Sequence, residues 1–232
     1  MAATNVATYK PGTLASRTLG SIADLIQHPK TVVITTAFAT KKFLCKLPGG
    51  QIYFDSGLDL DTDGSRFFNQ DGPPGALFGV PTTSTKWADG TSLDADVVNY
   101  FVLPGGFYTP YNIEKGDIGV VIFGSRKVFA CFGDVGPTHK LGEGSISLHR
   151  ELGNEPIANH NQAKGEHLIN GAKGGNGIGS GVVTIVFPGS GNGFGKNNHD
   201  SQTAGSLLFD DLKREAEQWT NSPAPGPGGL AA

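Results

Sequence analysis

Short apolar runs bounded by Gly, Pro, Asn or Asp recur along the chain and predict a strand-rich protein with helices near its two ends. The first helix is expected over residues 16–27, where Leu19, Ile22, Leu25 and Ile26 fall on one face and His28 and Pro29 stop the pattern. A β-branched run over 31–37 predicts a strand, and 43–47 with 51–54 predicts a hairpin closed by Pro48, Gly49 and Gly50. Residues 67–96 have no period and read as loop. Strands follow over 99–103, 119–123 and 127–132, and in the last of these Val128, Ala130 and Phe132 share one side. Ile146 and Leu148 alternate with polar residues and extend this pattern as a further strand-like run. A polar, glycine-rich stretch then leads through Gly181 to an apolar strand over 182–187. Residues 207–219 are expected to form an amphipathic helix with Leu208, Leu212, Ala216 and Trp219 in register.

Composition supports strands over helices: 35 Gly and 14 Pro among 232 residues imply many short elements joined by turns. The length suits one catalytic domain over 16–219, preceded by an irregular lead-in over 1–15 and followed by a Pro/Gly/Ala tail over 220–232 that is expected to be disordered. A net charge of −3 and a pI near 6.0 leave no basic footprint for nucleic acid, and a cationic substrate fits better. No apolar run is long enough to span a membrane, and residues 1–10 are too polar for a secretory signal. Cys45 and Cys131 each sit in an apolar alternating run and read as buried small hydrophobes in preference to a disulfide.

Two stretches carry candidate chemistry. Asp55, Asp59, Asp61 and Asp63 crowd into nine residues, and the last three, followed by Gly64, imitate the opening of a calcium loop, but Gln70 stands where the bidentate Glu is needed and no helix precedes them. A looser cation site, a solvated acidic turn and an acidic wall for substrate all remain open. The second stretch, residues 127–153, places Asp134 and Glu143 on glycine-flanked turns between strand-like runs. Cleaving a glycosidic bond needs two such acids, one to protonate the leaving oxygen and one to activate water or attack. By spacing alone the blander alternative is the stronger one: an Asx turn at Asp134 and a solvated glutamate at 143. Residues 188–196 miss the phosphate-loop spacing, since Ser190 takes the place of the first glycine and Asn197 follows Lys196. Ser145, Ser147 and His149 alternate as on a strand, with no nucleophile elbow and no orienting acid, and the remaining histidines lack paired ligand spacing.

The block GDVGPTHKLGEGSISL, residues 133–148, resembles the segment that carries the two essential acids of the glycoside hydrolase family 75 endo-chitosanases, with Asp134 and Glu143 on those acids. LDLDTDG, residues 58–64, is similar to a second family segment, with Thr62 in place of the cysteine of fungal members. LDADVVNYFVLP, residues 93–104, is similar to a third, with Asn99 in place of a proline. The blocks keep the family's order over about 43–153. The resemblance implies a secreted, monomeric hydrolase, its signal absent from this sequence, that degrades chitosan by an inverting mechanism with no cofactor and no metal. Glu143 is expected as general acid and Asp134 as base. Asp59, Asp61 and Asp63 are expected to form an acidic wall, with Trp87, Tyr108 and Tyr111 as sugar platforms. A more distant likeness of VFACFGDVGP and ISLHRELG to double-psi β-barrels implies a mainly β fold, with a six-stranded double-psi-like barrel core and a few peripheral helices. The rival expectations are a noncatalytic carbohydrate- or calcium-binding barrel, and a peptidoglycan lytic enzyme on the same barrel.

Overall fold

The apolar runs close into a barrel. A computed structural model describes residues 8–35, 38, 41–66, 80–161, 166–169, 177–191 and 198–221. Six strands form the ring: β3 (Ile52–Asp61), β10 (Ile178–Val186), β5 (Ile118–Phe123), β6 (Arg126–Gly136), β4 (Tyr100–Pro104) and β7 (Glu143–Ser145), with β7 closing back onto β3. The β4–β6 and β3–β7 contacts are parallel and the rest antiparallel, so the ring is not a simple meander. At the edge of β3 the sheet is extended by β2 (Lys41–Lys46) and β1 (Val32–Val33), while β8 (Ile157–Asn161) and β9 (Glu166–Ile169) make a separate hairpin.

Both faces of the barrel wall are covered, which is why its strands read as nearly continuous apolar runs. Phe54, Leu58, Phe101, Val121, Phe132 and Val182 belong to one buried cluster that fills the barrel. Their neighbours Tyr53, Val120, Ile122, Val183 and Ile185 face outward, against α1 (Thr13–Leu19), α2 (Ile22–Leu25) and α4 (Asn198–Asn221). Leu19, Ile22, Phe209 and Leu212 supply the helical side of that layer. A third cluster joins Leu93, Ala95 and Val98 to the outward side chains of Tyr100, Val102 and Cys131. Cys45 and Cys131 are both free and buried, and burial pushes each thiol up to about 12. No helix among the described residues is long and apolar enough to cross a membrane.

The structure departs from the pattern in several places. The expected first helix is two short ones, starting at Thr13 within the expected lead-in and divided at Gly20, whose φ of 58° is left-handed. The strand expected over 31–37 is reduced to Val32–Val33, with residues 36 and 37 outside the described set. Ile146 and Leu148 lie not on a strand but on helix α3 (Ile146–Glu151). Both are buried, and a Ser-Leu-His alternation satisfies a short helix as well as a strand. Ser145 starts that helix: its Oγ accepts the Leu148 N–H at 3.1 Å and donates to the Val98 carbonyl at 2.7 Å. Ser145→Ala is therefore expected to cost about 1–2 kcal/mol in urea denaturation, the usual size of a lost cap. The C-terminal helix starts nine residues before the expected 207 and takes in residues 220 and 221 of the tail expected over 220–232, while residues 222–232 lie outside the described residues, as do residues 67–79 of the expected loop.

Candidate active site

Asp134 reaches its position through a bulge. Tyr100 pairs with Cys131 and Phe101 with Phe132, and then the register slips so that Val102 lies beside Asp134. Gly133 is the extra residue. Counting two from Phe132, which fills the barrel, an unbulged Asp134 would point into the apolar interior. The bulge turns it to the outer face that carries Val102. On its other edge Val102 pairs with Glu143 of β7, and Glu143 pairs with Asp59 of β3. Directly opposed residues project from the same face of a sheet, so Asp134, Glu143 and Asp59 form a row with Val102 between the first two. Two strand spacings put the backbones of Asp134 and Glu143 roughly 9–10 Å apart. Both acids thus lie in strands, on the outer wall of the barrel, and not on the turns between them.

Two distinct charge environments flank Val102. Asp134 is only 6% exposed. Its Oδ1 accepts the N–H groups of Ser84 at 3.0 Å and Val135 at 2.7 Å, together with the Ser84 hydroxyl. Its Oδ2 is buried without a hydrogen-bond donor. Oxygens of Asp61, Asp63 and Asp134 lie within 4.8 Å of one another. Asp61 is oriented by the Asp63 N–H at 2.7 Å and Asp63 by the Val80 N–H at 2.8 Å, while the Tyr100 hydroxyl donates to the Asp63 carbonyl at 2.9 Å. Three ionised carboxyls at this spacing would repel by about 3–4 kcal/mol per pair at an effective dielectric of about 20. Protons relieve that repulsion. Burial, followed by the charges of Asp63, Asp134 and Glu143, pushes Asp61 up to about 8. Burial and the charge of Asp134 likewise push Asp63 up to about 6. The same oxygens have the spacing for a hard cation, which would compete with the proton on Asp61.

Glu143 faces a cation. Lys140 Nζ lies 2.8 Å from Glu143 Oε1 and 2.9 Å from Asp59 Oδ2. Burial works against the lysine's charge, but its hydrogen bonds to Glu143 and Asp59 outweigh that and hold its pKa above the ordinary value. Room for the glutamate comes from Gly136, on the same face as Asp134 and two residues on. A Cβ there would sit 2.4 Å from Glu143 Oε2 and 2.9 Å from Val102 Cγ1. The first atom ends a flexible side chain but the second belongs to a buried, β-branched residue, so Gly136→Ala should displace the Glu143 carboxylate and also lower the melting temperature, which a thermal melt against wild type measures.

The other sequence-derived candidates divide. Asp59 joins the row and Asp63 the carboxyl cluster. Asp61 also joins the cluster, where burial and the neighbouring carboxyls push its pKa up to about 8. Trp87 is half-buried against the cluster around Leu93 and Tyr100, in place of the exposed platform that its loop context predicts. Tyr108 rests on Phe132 at 5.1 Å and Tyr111 on Phe107 at 5.3 Å, so both rings are half-buried against the barrel-filling cluster. His149 is fully buried on α3, not alternating with the serines on a strand. Its Nε2 lies 3.2 Å from the Asp59 carbonyl and its Nδ1 2.8 Å from Asn154 Nδ2, and burial lowers its pKa. It thus helps to fix the backbone that carries Asp59. Ser147 donates to Asn99 Oδ1 at 2.7 Å. Sequence reasoning missed Ser84, which sits in a stretch with no periodic pattern, and Lys140, for which a cation three residues before Glu143 was the available signal.

No protein-family model matches the chain, and no curated protein sequence matches it. Function is therefore read from the chemistry of the site.

Proposed function

We propose that the protein is an inverting endo-chitosanase that hydrolyses β-1,4 bonds between glucosamine units of partly deacetylated chitosan. The observation that carries this reading is the pairing of Asp134 and Glu143 with opposite edges of Val102. Two acids on one face with a strand between them suit an inverting pair, whose carboxyl groups stand roughly 6.5–9.5 Å apart to admit a water. The charge distribution favours the reverse of the roles expected from sequence. Glu143 lies beside the Lys140 ammonium and is assigned as the base, which leaves Asp134, next to the carboxyl cluster of Asp61 and Asp63, as the acid.

In this mechanism Asp134 gives a proton to the leaving glycosidic oxygen as the bond to the anomeric carbon breaks. Glu143 takes a proton from the water that attacks that carbon from the opposite face. The site returns to its starting state when Asp134 regains a proton from solvent or through the Asp61–Asp63 cluster and Glu143 releases one. Asp59 and Asp63 supply negative charge for a polycationic chain, which charge-assisted hydrogen bonds would orient.

Release of reducing ends, with loss of viscosity, tests the reading on three polymers. Chitosan should be cut. Hydrolysis of peptidoglycan strands alone would move the substrate class, and binding without cleavage of any of them would identify a noncatalytic carbohydrate-binding barrel.

A further inference from the structure

Lys140 occupies a site that fits another amine. Its ammonium sits between two carboxylates on adjacent, in-register strands, 2.9 Å from Asp59 and 2.8 Å from Glu143, with 28% of the side chain exposed. A primary ammonium is a compact charge with three donors on a flexible stem, and these two acceptors engage two of them. The turn that carries the lysine, with Pro137, Thr138 and His139 exposed, leaves the stem room to withdraw into solvent.

Resting on the chitosanase reading, we infer that Asp59 and Glu143 form a binding site for one protonated primary amine, filled by Lys140 in the free protein and by the C2 ammonium of a glucosamine unit when substrate binds. The chemistry of the sugar supports the exchange. The C2 nitrogen lies two bonds from the anomeric carbon, roughly 2.5 Å away at ordinary single-bond lengths. An ammonium held at Glu143 Oε1 thus brings the reacting carbon next to the carboxylate that activates water, while a cation stays beside Glu143 before and after the exchange. An N-acetylated unit has no charge to offer and adds an acyl group, so the site discriminates against it. Lys140 competes from within the chain, and the apparent affinity for substrate is reduced by the fraction of protein in which the lysine occupies the site.

The test measures calorimetric binding of a fully deacetylated glucosamine tetramer and of its N-acetylated counterpart to the full chain. An Asp134→Asn background prevents turnover and leaves Asp59, Lys140 and Glu143 in place. Lys140→Met should tighten binding of the deacetylated tetramer by about three- to tenfold and leave the acetylated one unchanged. Asp59→Asn should weaken the deacetylated tetramer by about tenfold, the size of one lost charge-assisted hydrogen bond, with no effect on the acetylated one. Unchanged or weaker binding in Lys140→Met, or equal effects of Asp59→Asn on both sugars, would overturn the amine site. If Lys140→Met does not fold, Asp59→Asn decides alone. Tetramer binding with this pattern in a wild-type protein that cleaves nothing would instead sink the hydrolase reading and keep the amine site.

Discussion

On the chitosanase reading, Asp134→Asn and Glu143→Gln are each expected to reduce chitosan hydrolysis by about 10²–10⁴-fold, the contribution of a positioned acid or base. The loss should fall in kcat for Asp134→Asn and in both kcat and KM for Glu143→Gln, which also removes an acceptor for the substrate ammonium. The two variants differ in stability. In Asp134→Asn the amide oxygen can keep the bonds from Ser84 and Val135, and the amide nitrogen then replaces an oxygen that is buried without a donor and crowded by Asp61 and Asp63. A donor there relieves repulsion, so the inactive variant should melt no lower than wild type. Glu143→Gln, in contrast, leaves Lys140 with the Asp59 carboxylate as its remaining charged partner and should gain nothing. Initial rates of reducing-end release and thermal melts check both. Full activity in either variant would remove the pair from catalysis.

Asp61→Asn should stabilise the protein at neutral and alkaline pH. The carboxyl ionises at about 8 in the folded chain against 3.8 in the unfolded one. Between these values the folded state holds a proton that the unfolded state has released. The resulting stability is present in full below about pH 4, falls as pH rises, and is gone above about pH 8. After a discount for partial access to water, the wild type should lose on the order of 2–4 kcal/mol across that window through this group. Asparagine does not titrate, so the variant should match wild type near pH 4 and exceed it by about that amount at pH 8. Urea denaturation at pH 4, 6 and 8 measures the difference. A difference between variant and wild type that stays constant from pH 4 to pH 8 would mean that Asp61 holds no proton.

The strands were legible because they are covered on both faces, whereas their closure into a barrel was implied only by the likeness to double-psi β-barrels. Val120 and Ile122 meet helices, Val121 meets the interior, and the sequence accordingly shows unbroken apolar runs. The hairpin at Pro48, Gly49 and Gly50 and the C-terminal amphipathic helix were equally readable, since turn chemistry and helical period are local signals. The placement of the acids was not local. A one-residue bulge at Gly133 decides which face Asp134 takes, and it becomes visible only through the pairing of β4 with β6. The neutral state of Asp61 depends on burial and on Asp63, Asp134 and Glu143 around it. Ser84 reaches Asp134 across 50 positions of sequence, and no period marks it. Trp87 read as exposed because its turn is polar, while its ring packs on residues contributed by other segments.

Proton NMR of the first reducing ends formed from chitosan tests the central claim most directly. An acid and a base on one face, separated by the width of a strand, predict α anomers that convert to β only by mutarotation. Initial β anomers would place the carboxyl groups in a retaining arrangement and contradict the mechanism, and the absence of new reducing ends would contradict the activity itself.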